Sequence, residues 1–190
     1  GEKVSFYRIT YPKKSSKELK IDPGFFLGEE KIPDAREAQQ FVGSQIEIVS
    51  DTEVRGYSRI RGGWNNGRAY TVYFCAVFDQ PIAKYVTFKD GKFYNNQKTQ
   101  FDSGKKTAAL LSFGNGGKEE LNVKIGISFL SELKAKNNID VEIPHWDFNV
   151  VLGALQNKWE NLLSRIQLSI DTSDEYKKMF YTGLYHTMIM

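Results

Sequence analysis

The run AYTVYFCAVF, at residues 69–78, constrains the fold of this chain more than any other feature of its sequence. Its ten residues carry no charge, and β-branched and aromatic side chains predominate, which favours a strand. Side chains along a strand alternate between its two faces. One face carries Val72, Phe74, Ala76 and Phe78, and the other carries Thr71, Tyr73, Cys75 and Val77. Because both faces are largely apolar, the pattern predicts a strand at the centre of a sheet that is covered on both sides.

Further strand patterns precede and follow this run, with turn-forming residues between them. They read VSFYRITYP, KELKID, SQIEIVSD, EVRGYSRIRG, TAALLSFG and LNVKIGISFL. Residues 83–96, AKYVTFKDGKFYNN, give the clearest hairpin pattern, because Asp90-Gly91 is typical of a type I′ turn. Strands that recur roughly every 10–15 residues predict a mainly β fold, an antiparallel β-sandwich over residues 1–130.

From Ser131 onward the apolar periodicity becomes that of helices. SELKAKN predicts a short helix, and WDFNVVLGALQNKWENLLSRI, at residues 146–166, predicts a long one with Asp147 as its N-cap. Apolar residues three and four positions apart predict one buried stripe on the long helix, which comprises Phe148, Leu152, Leu155, Trp159, Leu162 and Ile166. Residues 131–190 are therefore expected to form two to three linker helices after the sandwich.

The last helical pattern, TSDEYKKMFYTGLYHTMI, begins with Thr172 and Glu175 at the spacing of a capping box. In the final residues, MFYTGLYHTMIM, no Gly, Asn or basic residue follows the apolar pattern as a cap that would close the helix. Two apolar helices also need more surface to pack against than a sandwich alone offers. We therefore expect the chain to be a fragment that continues into a further helical domain.

Composition excludes several classes of protein. With 41% hydrophobic and 26% charged residues, the chain is expected to fold around a core. The net charge is only +3, and the Lys and Arg residues are scattered, so a nucleic-acid partner is not expected. The longest apolar run falls short of the roughly 20 residues that a membrane helix needs, so no membrane span is expected.

No residue pattern nominates a catalytic or metal-binding group. His145 and His186 lie far apart in the sequence, and no Cys or His cluster has zinc spacing. The adjacent acidic pairs Glu29/Glu30 and Glu119/Glu120 are typical of solvated loops, so no glycosidase acid–base pair is assigned. Cys75 is the only cysteine, and its position within a strand predicts a buried structural thiol rather than a nucleophile.

Trp64 is the one aromatic residue whose setting points to a ligand. It lies in RIRGGWNNGRAY, a loop rich in Gly and Asn between two strands. In one interpretation, a loop Trp of this kind stacks on a sugar ring while the flanking Asn and Arg hydrogen-bond the sugar hydroxyls. In the other, the Trp side chain folds back over the edge of the sheet. Trp64 is thus a candidate carbohydrate-binding residue, with both interpretations open.

The carboxy-terminal third closely resembles glycoside hydrolase family 92, the calcium-dependent, exo-acting α-mannosidases. The resemblance lies in VKIGISFLSELKAKNNIDVEIPHWDFNVVLGALQNKWENLLSRIQLSI and the later FYTGLYHTMI. Upstream, GYSRIRGGWNNGRAYTVYFCAVFDQP is similar to the Gly-Tyr-Arg … Trp … Tyr-Phe passage of the family. Together these segments lie between residues 56 and 189 of the chain.

The resemblance implies a β-sandwich joined by helices to an (α/α)6 catalytic domain, which is the partner of this domain and lies beyond Met190. Hydrolysis of mannose-containing glycans is then inverting, and the acid, the base and the calcium ligands lie in that absent domain. No cofactor is expected in this fragment, which supports the substrate pocket and is inactive alone. Of the residues present, Tyr185 and His186 are expected nearest the sugar. The implied location is periplasmic, cell-surface or secreted.

Two other interpretations stay open. One is a free-standing carbohydrate-binding module with its sugar site near Trp64. The other is a structural or interaction domain whose apolar C-terminal helices dock a partner.

Overall fold

The computed structural model of the chain describes residues 2–13, 15–25, 39–62, 67–114 and 119–189. The chain divides into two compact units, Gly1–Trp146 and Asp147–Met190. The first unit contains ten strands and one helix among its described residues, and the second contains two helices. This confirms the predicted β-sandwich with C-terminal helices. The predicted domain boundary after residue 130 stays a prediction.

In the described part of the chain, the larger sheet has six strands. In spatial order they are β1 (Val4–Thr10), β10 (Glu120–Ser128), β5 (Tyr70–Phe78), β4 (Glu53–Gly62), β3 (Gln39–Ile48) and β8 (Thr99–Asp102). Every pair is antiparallel. The uncharged run of residues 69–78 forms β5, which lies between β10 and β4, so its predicted central position is confirmed.

Among the residues that the structure describes, the smaller sheet has four antiparallel strands. They are β2 (Glu18–Ile21), β9 (Thr107–Ser112), β6 (Lys84–Lys89) and β7 (Lys92–Asn95). The predicted hairpin joins β6 to β7, with Lys89 paired to Lys92. Asp90 and Gly91 have φ of 52° and 73°, the left-handed backbone that a type I′ turn requires at both central positions.

The hydrophobic core lies between the two sheets. Its buried members from both sheets include Ile46, Val54, Ala76, Phe78, Leu111, Leu121 and Val123. The buried hydroxyls of Ser44 on β3 and Thr107 on β9 are 2.8 Å apart, so they form a polar link between the sheets. Because each hydroxyl has a partner, the core carries this polar pair without leaving a donor or acceptor unsatisfied.

Helix α1 (Glu132–Glu142) covers part of the outer face of the larger sheet. Ala135 and Ile139 are its buried residues. Gly126 on β10 makes this approach possible, because a Cβ at that position would lie 2.3 Å from the carbonyl oxygen of Ala135. The second side of the central strand is therefore covered by a helix.

The second unit consists of α2 (Phe148–Leu163) and α3 (Asp174–Met188). Asp147 is the N-cap of α2, as predicted, and its carboxylate accepts from the backbone N–H groups of Asn149 and Val150 at 3.0 and 3.1 Å. The predicted N-cap of α3, Thr172, is wrong by one residue. Ser173 caps α3 through its hydroxyl, whereas the Thr172 N–H is used in the preceding turn, where it donates to the Ser169 carbonyl.

The apolar stripe of α2 is exposed or half-buried within this unit. Neither helix has a buried residue. Leu152, Leu155 and Ile166 of the predicted stripe are 40%, 47% and 45% exposed. The periodicity of the stripe is as predicted, but its burial is not present in this unit.

Candidate functional site

The three carbohydrate-binding candidates from the sequence have different outcomes. Trp64 lies outside the described residues, so its sugar contact stays a prediction. Tyr185 and His186 lie near the end of α3, and both are exposed.

Tyr185 lies in an aromatic cluster that joins the two helices. Its ring centre is 4.6 Å from that of Trp159 on α2, with 57° between the ring planes. The ring of the adjacent His186 is 5.8 Å from Tyr185. Aromatic pairs at such separations are favourable, so the Trp159–Tyr185 contact fixes the position of the Tyr185 ring.

A groove of about 410 Å³ lies beside this cluster. It is lined by Leu163, Lys177, Lys178, Tyr181, Thr182 and Tyr185. The Tyr181 hydroxyl donates to the Ile166 carbonyl at 2.9 Å, which orients the Tyr181 ring. The groove thus offers two phenol rings, a threonine hydroxyl and two ammonium groups.

The groove lacks the acidic groups that glycoside hydrolysis uses. Glycoside hydrolysis uses two carboxyl groups on either side of the bond. None of the six lining residues is Asp or Glu. A polyhydroxylated ligand finds ring surface and hydrogen-bonding groups here but no acid and base.

The sequence patterns predict little of this groove. They place Trp159 in a buried apolar stripe and predict no role for Lys177, Tyr181 or Thr182. A usable signal was present, because Lys177, Tyr181 and Tyr185 are spaced four residues apart and so share one helix face.

Cys75 is a structural thiol in the first unit. It is fully buried, as predicted, and its sulfur lies 3.7 Å from a carboxylate oxygen of Glu53. Glu53 in turn pairs with Arg55. Burial, with a further contribution from Glu53, raises the pKa of Cys75 to about 12, so the thiol stays protonated and unreactive.

No metal centre is found in the part of the chain that the structure describes. There, no three side chains of His, Cys, Asp or Glu are arranged to hold a metal ion. None of the described residues is therefore assigned to a calcium ion. In the same described residues, no helix is long and apolar enough to cross a membrane.

Comparison with protein families decides the relationship of this chain. The model of the glycosyl hydrolase family 92 N-terminal domain matches residues 1–128. This chain belongs to glycosyl hydrolase family 92. The model of the family 92 catalytic domain matches residues 134–190, directly after the first match. The suspected family is confirmed.

Solved structures of family 92 share the fold. An α-mannosidase from Bacteroides thetaiotaomicron superposes with a TM-score of 0.79 at 27% identity, covering 98% of this chain and 24% of its own. An inverting mannosidase from the same organism superposes with a TM-score of 0.78 at 23% identity, covering 98% and 23%. This second likeness shows the fold alone.

A curated relative gives a further similarity. An uncharacterized secreted glycosidase of Arthroderma benhamiae is 32% identical over 89 residues, which are 44% of this chain and 12% of that protein. This chain therefore spans about a quarter of the solved family 92 chains and about an eighth of this relative.

Proposed function

We propose that this chain provides the N-terminal β-sandwich and the first catalytic-domain helices of an exo-acting α-mannosidase that removes mannose from glycans. The observation that carries the proposal is the pair of consecutive family 92 matches, N-terminal domain then catalytic domain. The 27% identical solved relative is an α-mannosidase, and it has also been solved in complex with mannoimidazole.

The proposed role of these residues is binding and support rather than bond cleavage. The groove on α2 and α3 contains no carboxyl pair. In the proposal, the acid, the base and calcium belong to the remainder of the catalytic domain, and the reaction is inverting. The sandwich supports the pocket, and Tyr185, His186 and Trp64 contact the sugar.

The proposed location is outside the cytoplasm: secreted, periplasmic or at the cell surface. A glycosidase relative that shares 32% identity over 89 residues is secreted, which supports export. An exo-acting enzyme for glycans also meets its substrate there.

The catalytic-domain match over residues 134–190 favours this proposal over a free-standing carbohydrate-binding module. A binding module has no need for the first segment of a catalytic domain. The exposed groove is compatible with either function, so it does not decide between them.

The test is mannose release from α-linked mannobiose by the whole native gene product, with β-linked mannobiose as the matched control substrate. We expect release from the α-linked substrate alone, loss of activity with a chelator and recovery on adding calcium. Proton NMR of the first product is expected to show the β-anomer, because inversion changes the configuration. Absence of release from the α-linked substrate, or equal release from both, contradicts the proposal.

A further inference from the structure

An aromatic row crosses the outer face of the larger sheet beside the beginning of α1. Tyr57 on β4 pairs with Tyr73 on β5 on one side and with Gln45 on β3 on the other. Gln45 pairs with Phe101 on β8. Four neighbouring strands therefore place these side chains in one line across the face.

The rings of the row are in contact. The ring centre of Tyr57 is 5.9 Å from that of Tyr73 and 6.4 Å from that of Phe101, with interplanar angles of 68° and 65°. Phe101 is 54% exposed, and the two tyrosines are half-buried. The row is thus a fixed aromatic surface on rigid strands rather than part of the core.

Hydrogen-bonding groups border the aromatic row. The side-chain amide of Gln45 donates to the carboxylate of Glu132 at 3.4 Å, at the first turn of α1. Arg59 is exposed two residues beyond Tyr57 on the same face of β4. Burial raises the pKa of the Tyr57 hydroxyl, and the positive charge of Arg59 offsets part of that rise. An amide, a carboxyl group and a guanidinium group therefore surround the rings.

This combination of groups fits a neutral, polyhydroxylated ring. Aromatic faces pack against the apolar C–H surface of a sugar, while planar amide, carboxyl and guanidinium groups bind its hydroxyls. Charges of both signs meet on this surface, since Glu47 and Arg55 act on Glu132 while Arg59 acts on Tyr57, so the surface does not favour an anion or a cation.

We propose that Tyr57, Tyr73, Phe101, Gln45, Arg59 and Glu132 form a carbohydrate subsite on the sandwich, separate in sequence from the groove of α2 and α3. Its ligand is a neutral hexose unit, and the choice of an α-mannoside as that hexose rests on the proposed function. The subsite holds a glycan chain and takes no part in its cleavage. The stacking surface is the Phe101 ring, the most exposed of the three.

The test is a ¹⁵N NMR titration of the 190-residue chain with α-linked mannobiose. NMR reports each position separately, so binding at this surface is distinguished from binding at Tyr185. We expect saturable shifts at the Gln45 side-chain amide and at the backbone amides of Tyr57 and Phe101. Absence of saturable shifts at these positions overturns the proposal.

Two matched substitutions test the role of the ring. Phe101→Ala is expected to raise the Kd at these positions about fivefold, the loss expected for one stacking contact. Phe93→Ala removes an aromatic ring that is 68% exposed on the smaller sheet, and it is expected to leave the Kd unchanged. Equal effects of the two substitutions overturn the proposal.

A third variant distinguishes weaker binding from loss of the fold. Arg59→Ala changes an exposed side chain on the same surface, and we expect it to weaken binding while the thermal midpoint stays unchanged.

A different outcome would assign the surface to self-association. If the NMR shifts change with protein concentration in the absence of sugar, and this change is lost in Phe101→Ala, the surface binds a second copy of the chain and the proposed sugar subsite is wrong. Mannose release by the native gene product is measured separately, so either proposal can fail without the other.

Discussion

The ammonium nitrogen of Lys124 lies 4.0 Å from the centre of the Trp146 ring, although only 3% of the Lys124 residue is exposed. The same nitrogen donates to the carbonyl oxygen of Ile143 at 2.8 Å, just beyond the end of α1. Lys124 is on β10, so one side chain connects the larger sheet to the end of the helix that covers it. A buried cation is tolerated here because it has both a hydrogen-bond acceptor and an aromatic face.

The Lys124–Trp146 contact is expected to be directly measurable. In a double-mutant cycle with Lys124→Met and Trp146→Leu, we expect a coupling energy of about 1–2 kcal/mol, the range for a desolvated cation–π pair. Urea denaturation of the four proteins gives the free energies of unfolding. Strictly additive effects of the two substitutions would mean that the pair contributes nothing.

Stability should also depend on pH through Lys124. Burial lowers the pKa of Lys124 in the folded state below its ordinary value of 10.5. Between the folded and unfolded pKa values the unfolded chain binds more protons, so the Lys124 contribution to the free energy of unfolding rises as the pH increases through that window. Wild type is therefore expected to gain stability relative to Lys124→Met as the pH rises toward 10.5. The difference between the two proteins cancels the titration of other groups, and a constant difference contradicts the prediction.

Two glycines are expected to respond oppositely to the same substitution. Gly126→Ala forces a methyl group against the Ala135 carbonyl and is expected to destabilise the chain by about 1–3 kcal/mol. Gly153→Ala lies in α2 with no atom within 4 Å of the new methyl group, and it is expected to stabilise α2 by about 1 kcal/mol because alanine favours a helix. Thermal unfolding followed by circular dichroism measures both. A loss of stability at Gly153 comparable to that at Gly126 would show that the cost is not due to the close approach of α1.

Local features of this fold were predictable from the sequence, since a few neighbouring residues determine them. The Asp147 cap and the Asp90-Gly91 turn are examples. The uncharged run of β5 likewise predicted that this strand lies at the centre of its sheet. The predicted N-cap of α3 was wrong by one residue because Thr172 and Ser173 are both good N-cap residues. Which of them caps the helix depends on how the preceding turn uses its backbone N–H groups.

Features that depend on distant residues were not predictable. Lys124 lies in a strand pattern that gives no sign of a buried charge, because its partners Ile143 and Trp146 are about twenty residues away. The strand Thr99–Asp102 was not predicted, since its pairing with β3 is set by tertiary contacts. The contact between Trp159 and Tyr185 and the groove beside it likewise depend on how two helices are arranged, which the sequence pattern does not specify.

Cys75 is expected to resist alkylation and disulfide exchange in the folded chain. The thiol is buried and its pKa is raised to about 12, so almost no thiolate is present at pH 8. Reaction with a chromogenic disulfide reagent should be slow in buffer and rapid in concentrated urea, which serves as the positive control. Rapid modification of the folded chain at pH 8 contradicts the buried position.

Tyr185 is expected to contribute to sugar binding in the groove of α2 and α3. Tyr185→Ala removes a ring that Trp159 holds in place, and we expect the Kd for α-linked mannobiose at the α3 amides to rise about fivefold. The matched control is Tyr176→Ala on the same helix, whose 67% exposed ring is not among the groove-lining residues. His186→Ala tests the second predicted contact: if the imidazole also binds the sugar, its removal weakens binding without changing the thermal midpoint.

Unchanged binding in Tyr185→Ala contradicts a sugar contact at Tyr185. That result would stand whether or not the native gene product releases mannose.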